Sequence, residues 1–261
     1  MKENINSKIL LEELERKRLR LIFSGNLAES AVISDIAKDL AQNPEKNDSL
    51  TDFINKALKR VFVGHQKEAV FDSSRLLVAS HISDVKERYN LRLDDLTSLP
   101  KSRELISDFH ILMDKIANKE IEEFSLVLLD LDHLKNINDT YGHSAGDMAI
   151  KSAADIFKEI IGEAGQVYRQ GGDEFSALIE GSEEKVKSIL EAIKLKLETD
   201  PIKIEDNRGP KTTIKISTSI GSVSSKRLGT EERRFDDISR IADIALYKAK
   251  ENRGTIHQVK D

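Results

Sequence analysis

The sequence predicts an α+β fold preceded by an all-helical segment, and three observations carry that expectation. Residues 1–90 show helical periodicity and no strand-like run. From Asp94 onward, helical stripes alternate with short runs suited to strands. Two of those runs, Gln166–Arg169 and Phe175–Ile179, flank a Gly-Gly pair and read as a hairpin, which gives the sheet an antiparallel component and argues against a doubly wound parallel one.

The elements follow in order. Ile9, Leu10, Leu14 and Leu21 share one side of a highly charged first helix, which Gly25-Asn26 interrupts. Leu27, Ala31, Ile33, Ile36, Ala37 and Leu40 form a second stripe, stopped by Asn43-Pro44. Asp48-Ser49 caps a third helix with Leu50, Phe53, Ile54, Ala57, Leu58 and Val61 inward. After Gly64 a fourth helix runs to Tyr89 with Val70, Leu77, Val78, Ile82 and Val85. Beyond Asp94, Leu105, Phe109, Leu112, Met113 and Ile116 predict a helix, and Phe124–Leu131 a buried strand. Met148, Ser152, Ala153, Ile156, Phe157 and Ile160 predict the next helix, ahead of the hairpin. Val186, Ile189, Leu190, Ile193 and Leu197 mark a third, Thr212–Val223 a β-branched strand, and Ile238, Ile241, Ala242, Ala245, Leu246 and Ala249 the last helix.

Composition narrows the function. Of 261 residues, 46 are acidic and 41 basic, a net charge of −5, which argues against a nucleic-acid coat or a polybasic membrane anchor. A nucleotide substrate stays open, because it needs only local positive groups and a metal. The absence of cysteine excludes disulfides, zinc–thiolate sites and thiol catalysis. The longest apolar run, Phe124–Leu131, is too short to cross a bilayer, and the N-terminus leads into charged helix instead of an apolar signal core. A cytoplasmic protein with no nucleic-acid or membrane partner is expected. His65 and His81, isolated in charged helices, read as surface residues.

The chemistry concentrates in carboxylates at strand ends. Leu128-Leu129-Asp130-Leu131-Asp132 closes a buried strand on two acids, and Asp173 and Glu174 follow Gly171-Gly172 at the hairpin tip. Brought together by strand pairing, such groups form an oxygen site for magnesium, which takes one or two protein carboxylates and leaves its other positions to water and phosphate. Any one of these acids alone would read as a solvated turn residue. The two glycines supply the positive φ of a tight hairpin and let a main chain approach a nucleotide without a Cβ.

Several separated motifs occur in order: Asp94-Asp95-Leu96-Thr97; Asp130-Leu131-Asp132-His133-Leu134-Lys135-Asn136-Ile137-Asn138-Asp139; Gly142-His143; Gly146-Asp147; Arg169; Gly171-Gly172-Asp173-Glu174-Phe175; Ser219-Ile220-Gly221; and Ala242-Asp243 through Ala249-Lys250. On these residues the chain resembles the GGDEF-domain family of diguanylate cyclases, from about Asp94 to the C-terminus. The resemblance implies a ferredoxin-like fold of the nucleotidyl-cyclase type over residues 91–261, behind a helical sensory or dimerisation domain at 1–90. It implies that two GTP condense into cyclic di-GMP with release of two pyrophosphates, in a homodimer, with magnesium as cofactor and manganese as the alternative ion. Asp130, Asp173 and the main-chain carbonyl of Leu131 would hold the metal, with Glu174 as a second ligand. Asp173 would also be the base for the 3′-hydroxyl, and Lys135 would add positive charge at the transition state. Asn138, His143 and Asp147 would contact substrate, Asn138 and Asp147 at the guanine edge, since a carboxylate accepts from both N1–H and the 2-amino group. Lys250 is a phosphate ligand or a lysine that suits the helix dipole.

Departures from the family pattern lie mostly away from the carboxylates. Ser98 stands where the family has glycine, Lys101-Ser102-Arg103 replaces Asn-Arg-Arg, and Leu134 replaces phenylalanine. Arg253-Gly254 reverses the usual Gly-Arg, and Gly162-Glu163-Ala164-Gly165 replaces the R-x-x-D of the family's product-inhibition site. Two rival readings stand beside the cyclase: a catalytically degenerate GGDEF module acting as a nucleotide-binding regulatory domain, and a ferredoxin-like RNA binder. The RNA binder lacks the aromatic platform such domains use, with only 5% aromatic residues in the chain. The fourth helix leads almost directly into Asp94 without a flexible linker, so the helical domain is expected to control dimer geometry in response to an unidentified signal or partner.

Overall fold

The computed structural model describes residues 5–23, 30–31, 33–35, 37–38, 91–204, 212–228 and 234–259. The chain divides into two compact units, Met1–Leu91 and Arg92–Asp261. In the first, helix α1 spans Ile5–Phe23, with Leu14 and Leu21 buried and Glu13–Arg16 and Glu15–Arg18 pairs one turn apart. Ile33, in the expected second stripe, is also buried. The expected third and fourth helices, with His65 and His81, lie outside the described residues.

The second unit runs α2 (Ser102–Ala117), β1 (Phe124–Leu131), α3 (Leu134–Tyr141), α4 (His143–Ile161), β2 (Gly165–Gly171), β3 (Glu174–Glu180), α5 (Glu183–Thr199), β4 (Ile202–Ile204), β5 (Thr212–Ile214), β6 (Thr218–Ser224), α6 (Phe235–Glu251) and β7 (Ile256–Gln258). A five-stranded sheet has the order β2-β3-β1-β6-β7, antiparallel except for the β6–β7 pair, and β4 and β5 form a separate ribbon. With helices between β1 and β2 and between β3 and β6, this is the expected α+β, ferredoxin-like arrangement.

Strand β1 is buried along its whole length because both its faces carry helices. Val127, Leu129 and Leu131 join the core built with α4 and α5, whereas Phe124, Leu126 and Leu128 join the core built with α2 and α6. Period-two alternation therefore sends the next even-numbered residue, Asp130, toward the α6 side. Helix α6 lies hard against β6 at Gly221, where a Cβ would stand 2.3 Å from the main-chain nitrogen of Leu246. That contact brings the last turn of α6 to the end of β1.

Two segments depart from the sequence reading. The strand expected over Thr212–Val223 is two strands, β5 and β6, separated at Lys215–Ser217. Residues 134–141, for which the sequence reading named no element, form the short helix α3, which buries Leu134 and packs the half-buried Ile137 against the core.

Candidate active site

The end of β1 and the Gly-Gly turn adjoin through the sheet. Asp130 is the register partner of Glu174, and directly opposed residues of antiparallel strands share a face. The N–H of Leu131 donates to the carbonyl of Asp173 at 3.1 Å, which holds the turn against the strand end. The turn uses both glycines at positive φ, +145° at Gly171 and +53° at Gly172, with an irregularity in the ladder between Arg169 and Gly171.

Lys250, in the last turn of α6, donates from Nζ to Asp130 Oδ2 at 2.7 Å. Burial pushes the Asp130 carboxyl above its ordinary value, the hydrogen bond and charge of Lys250 oppose that, and the charges of Asp173 and Asp132 push it up further.

Arg169 fixes the turn from its other side. Its guanidinium donates to Asp94 Oδ1 at 2.7 Å and to the Gly172 carbonyl at 3.0 Å. Asp94 also accepts from the Thr97 hydroxyl and N–H, so the opening Asp94–Thr97 motif is a support for the Gly-Gly turn. Burial raises the Asp94 carboxyl, but the hydrogen bonds from Arg169 and Thr97, with the Arg169 charge, outweigh it and hold the group below its usual value.

Asn138 sits on α3 against Gly146 of α4, where a Cβ would stand 1.9 Å from Asn138 Oδ1. Asp147 follows directly and is exposed, as is His143 at the first position of α4. The structure thus sets Asn138 against Gly146, the residue before Asp147, at the α3–α4 junction, and separately joins Asp130, Leu131, Asp173, Glu174 and Lys250 at the strand ends. Lys135, exposed on the first turn of α3, forms no ion pair with either group among the described residues.

Sequence reasoning counted Asp132 among the strand-end acids but gave it no role of its own. It is 3% exposed and accepts from Ser217 Oγ, Ser219 Oγ and the Gly254 N–H at 2.8, 2.7 and 2.9 Å. Its signal was a second acid just past the β1 end, two residues beyond Asp130.

Asp130 and Asp173 suit a hard divalent cation such as magnesium or manganese, which prefers carboxylate oxygen. Among the described residues no group of three or more His, Cys, Asp or Glu side chains gathers to enclose an ion. Asp130 and Asp173, two carboxylates at the adjoining ends of β1 and the Gly-Gly turn, match the one or two protein carboxylates that magnesium takes.

The family described as Diguanylate cyclase, GGDEF domain, matches residues 91–255. The probable diguanylate cyclase DgcI of Escherichia coli K12 is 33% identical over 204 residues, 76% of this chain and 41% of DgcI. Diguanylate cyclase A of Treponema denticola is 33% identical over 144 residues, 55% of this chain and 37% of that protein. The chain spans about two fifths of the length of these curated relatives. Among solved structures, the GGDEF domain of TpbB (YfiN) from Pseudomonas aeruginosa matches with a TM-score of 0.58 and 26% identity, covering 64% of this chain and 94% of that one. The coiled coil and GGDEF domain of DgcB from Caulobacter crescentus, solved with c-di-GMP, matches in fold with a TM-score of 0.65 and 23% identity, covering 73% of this chain and 97% of that one. With the motif residues meeting at the ends of β1 and the hairpin, and the family match running over residues 91–255, nearly all of the second unit, the chain belongs to the diguanylate cyclase GGDEF-domain family.

Proposed function

We propose that this protein is a diguanylate cyclase that condenses two GTP into cyclic di-GMP and two pyrophosphates. The observation that carries the reading is the meeting of Asp130 with the turn bearing Asp173 and Glu174, with Lys250 at 2.7 Å, in a chain of this family. Asp130, Asp173 and the Leu131 carbonyl, with Glu174 as a further ligand, would hold magnesium, or manganese in its stead. When bound, that ion supplies charge neutralisation for the leaving pyrophosphate and orients the attacking oxygen.

The chain's own residues do the rest. Asp173 takes the proton from the 3′-hydroxyl as it attacks the α-phosphate of the other GTP. Lys135 and Lys250 bring positive charge to the phosphates, and His143 contacts the substrate. Asn138 and Asp147 read the guanine edge, where the carboxylate accepts two donors that adenine lacks. One such domain holds one GTP, so two copies must face each other, and a homodimer is the working unit. Residues 1–90 form the helical domain that governs this pairing under a signal or partner of its own. The setting is the cytoplasm; among the described residues no helix is long and apolar enough to cross a membrane.

The degenerate, nucleotide-binding alternative draws on the reversed Arg253-Gly254 order. Parallel measurement of GTP binding and of product formation for the wild type and Asp173→Ala separates the two readings. The cyclase reading requires product from the wild type and none from a variant that still folds and binds GTP. Binding without product in both proteins would favour the degenerate module.

A further inference from the structure

Among the described residues, Asp132 is a buried carboxylate held by neutral donors alone. Ser217 Oγ reaches it at 2.8 Å, Ser219 Oγ at 2.7 Å and the Gly254 N–H at 2.9 Å, and its own N–H donates to the Ser217 carbonyl at 2.9 Å. These donors come from three stretches of chain: the loop before β6, β6 itself, and the turn after α6. A buried charge is an inefficient staple, because apolar packing of similar volume stabilises at least as well. What it adds is direction, since an N–H aimed at a carboxylate fixes a main chain where apolar contact would let it slide.

The turn that Asp132 holds is tied back to α6. The Thr255 hydroxyl donates to the Ala249 carbonyl at 3.0 Å, the Asn252 N–H donates to the same carbonyl at 3.2 Å, and Ile220 N–H donates to the Thr255 carbonyl at 2.9 Å. Lys250 is the residue after Ala249. Asp130 at the end of β1 and Asp132 in the turn just after it therefore grip the same C-terminal segment at two points. Asp130 takes the Lys250 side chain and Asp132 takes the Gly254 main chain.

We propose that Asp132 is a positioning residue for phosphate recognition: by holding Gly254 it sets where the Lys250 ammonium stands at the end of β1. The inference rests on the reading of Lys250 as a phosphate ligand. Were Asp130 Oδ2 to hold a cation instead of Lys250, the Asp132–Gly254 bond would be the hold that keeps the segment in register. The reversal of Arg253 and Gly254 then has a structural reason. The residue that donates to Asp132 stands at φ +73°, a conformation that favours glycine.

A double-mutant cycle on equilibrium GTP binding by the full chain tests this. Asp132→Ala and Lys250→Ala should each weaken binding about tenfold, and Asp132→Ala should add less than about twofold once Lys250 is already alanine. Asp132→Asn should bind nearly as the wild type does, because its amide oxygen still accepts from Gly254 while its NH2 donates to a reversed serine hydroxyl. If Asp132→Ala fails to fold, Gly254→Ala loosens the clamp from its other end and should show the same non-additivity with Lys250→Ala. Additive losses in the cycle would overturn the positioning role while leaving the cyclase reading intact. A wild-type chain that does not bind GTP would overturn the functional reading, and this inference with it.

Discussion

Gly146 and Asn138 meet so closely across the α3–α4 junction that a methyl group on Gly146 would stand 1.9 Å from Asn138 Oδ1. Glycine is required there to seat the amide, and the next residue is Asp147, the other proposed reader of guanine. Gly146→Ala should displace Asn138, at a stability cost of about 1–3 kcal/mol typical of overpacking. In cyclase assays it should raise the KM for GTP about tenfold or more and narrow the preference for GTP over ATP. Steady-state kinetics with both nucleotides, alongside urea denaturation, checks this; wild-type kinetics in the variant would remove Asn138 from base recognition.

The Asp130 carboxyl is held above its ordinary 3.8, by burial first and then by the charges of Asp173 and Asp132, against the opposing pull of Lys250. A raised folded pKa means the native state binds the proton more tightly than the unfolded chain. The contribution to stability is full below the unfolded value and is lost as pH rises through the folded one. Asp130→Asn keeps the shape without the charge. In the absence of metal and nucleotide it should melt at or above the wild-type temperature at neutral pH, with the advantage fading as pH falls toward 3.8, and it should be inactive. A variant that melts well below wild type at neutral pH would contradict this account of Asp130.

Asp94 carries the opposite sign. Its carboxyl lies below 3.8 because Arg169 and Thr97 outweigh burial, so its contribution is present above that value and is lost as pH falls through the folded pKa. Asp94→Ala frees the guanidinium that also grips the Gly172 carbonyl. It should cost about 1.5–3 kcal/mol at neutral pH, as for a charge-assisted hydrogen bond, and the gap from wild type should close in acid. Urea melts across a pH series check both halves of this expectation.

Product feedback should be weak. Gly162–Ala164 is a tight 3-10 turn with Gly162 at φ +49°, and a Cβ on Gly165 would stand 2.1 Å from the Leu178 carbonyl oxygen. Neither position offers the arginine and aspartate that clamp a product dimer, and Gly165 has no room for a side chain. Titration with cyclic di-GMP should give little non-competitive inhibition, and Gly165→Asp should destabilise the domain without restoring it. Strong non-competitive inhibition that is lost on substitution of Gly162 or Glu163 would refute this.

Long apolar stripes made most of the second unit legible from sequence, since α2, α4, α5 and α6 each bury a full face and β1 is buried throughout. Helix α3 escaped because it buries only Leu134, and β4 and β7 because three residues are too few to carry a pattern. The site's acids were visible as motif residues, but their support was not. Asp132 meets Ser217, Ser219 and Gly254 at separations of 85, 87 and 122 residues, and Arg169 meets Asp94 at 75. No local spacing encodes contacts made by sheet pairing and by α6 crossing β6. The break at Lys215–Ser217 was hidden by β-branched residues on both sides, although Ser217 is one of the serines that bind Asp132.

The most direct test of the central claim follows the α-phosphorus of GTP. The full-length protein, given magnesium and GTP labelled at the α-phosphate, should move the label into cyclic di-GMP and release two pyrophosphates for each product molecule, and Asp173→Ala should do neither. Label that stays in GTP, or leaves it as GDP or GMP without cyclic product, would contradict the assignment of this chain as a diguanylate cyclase.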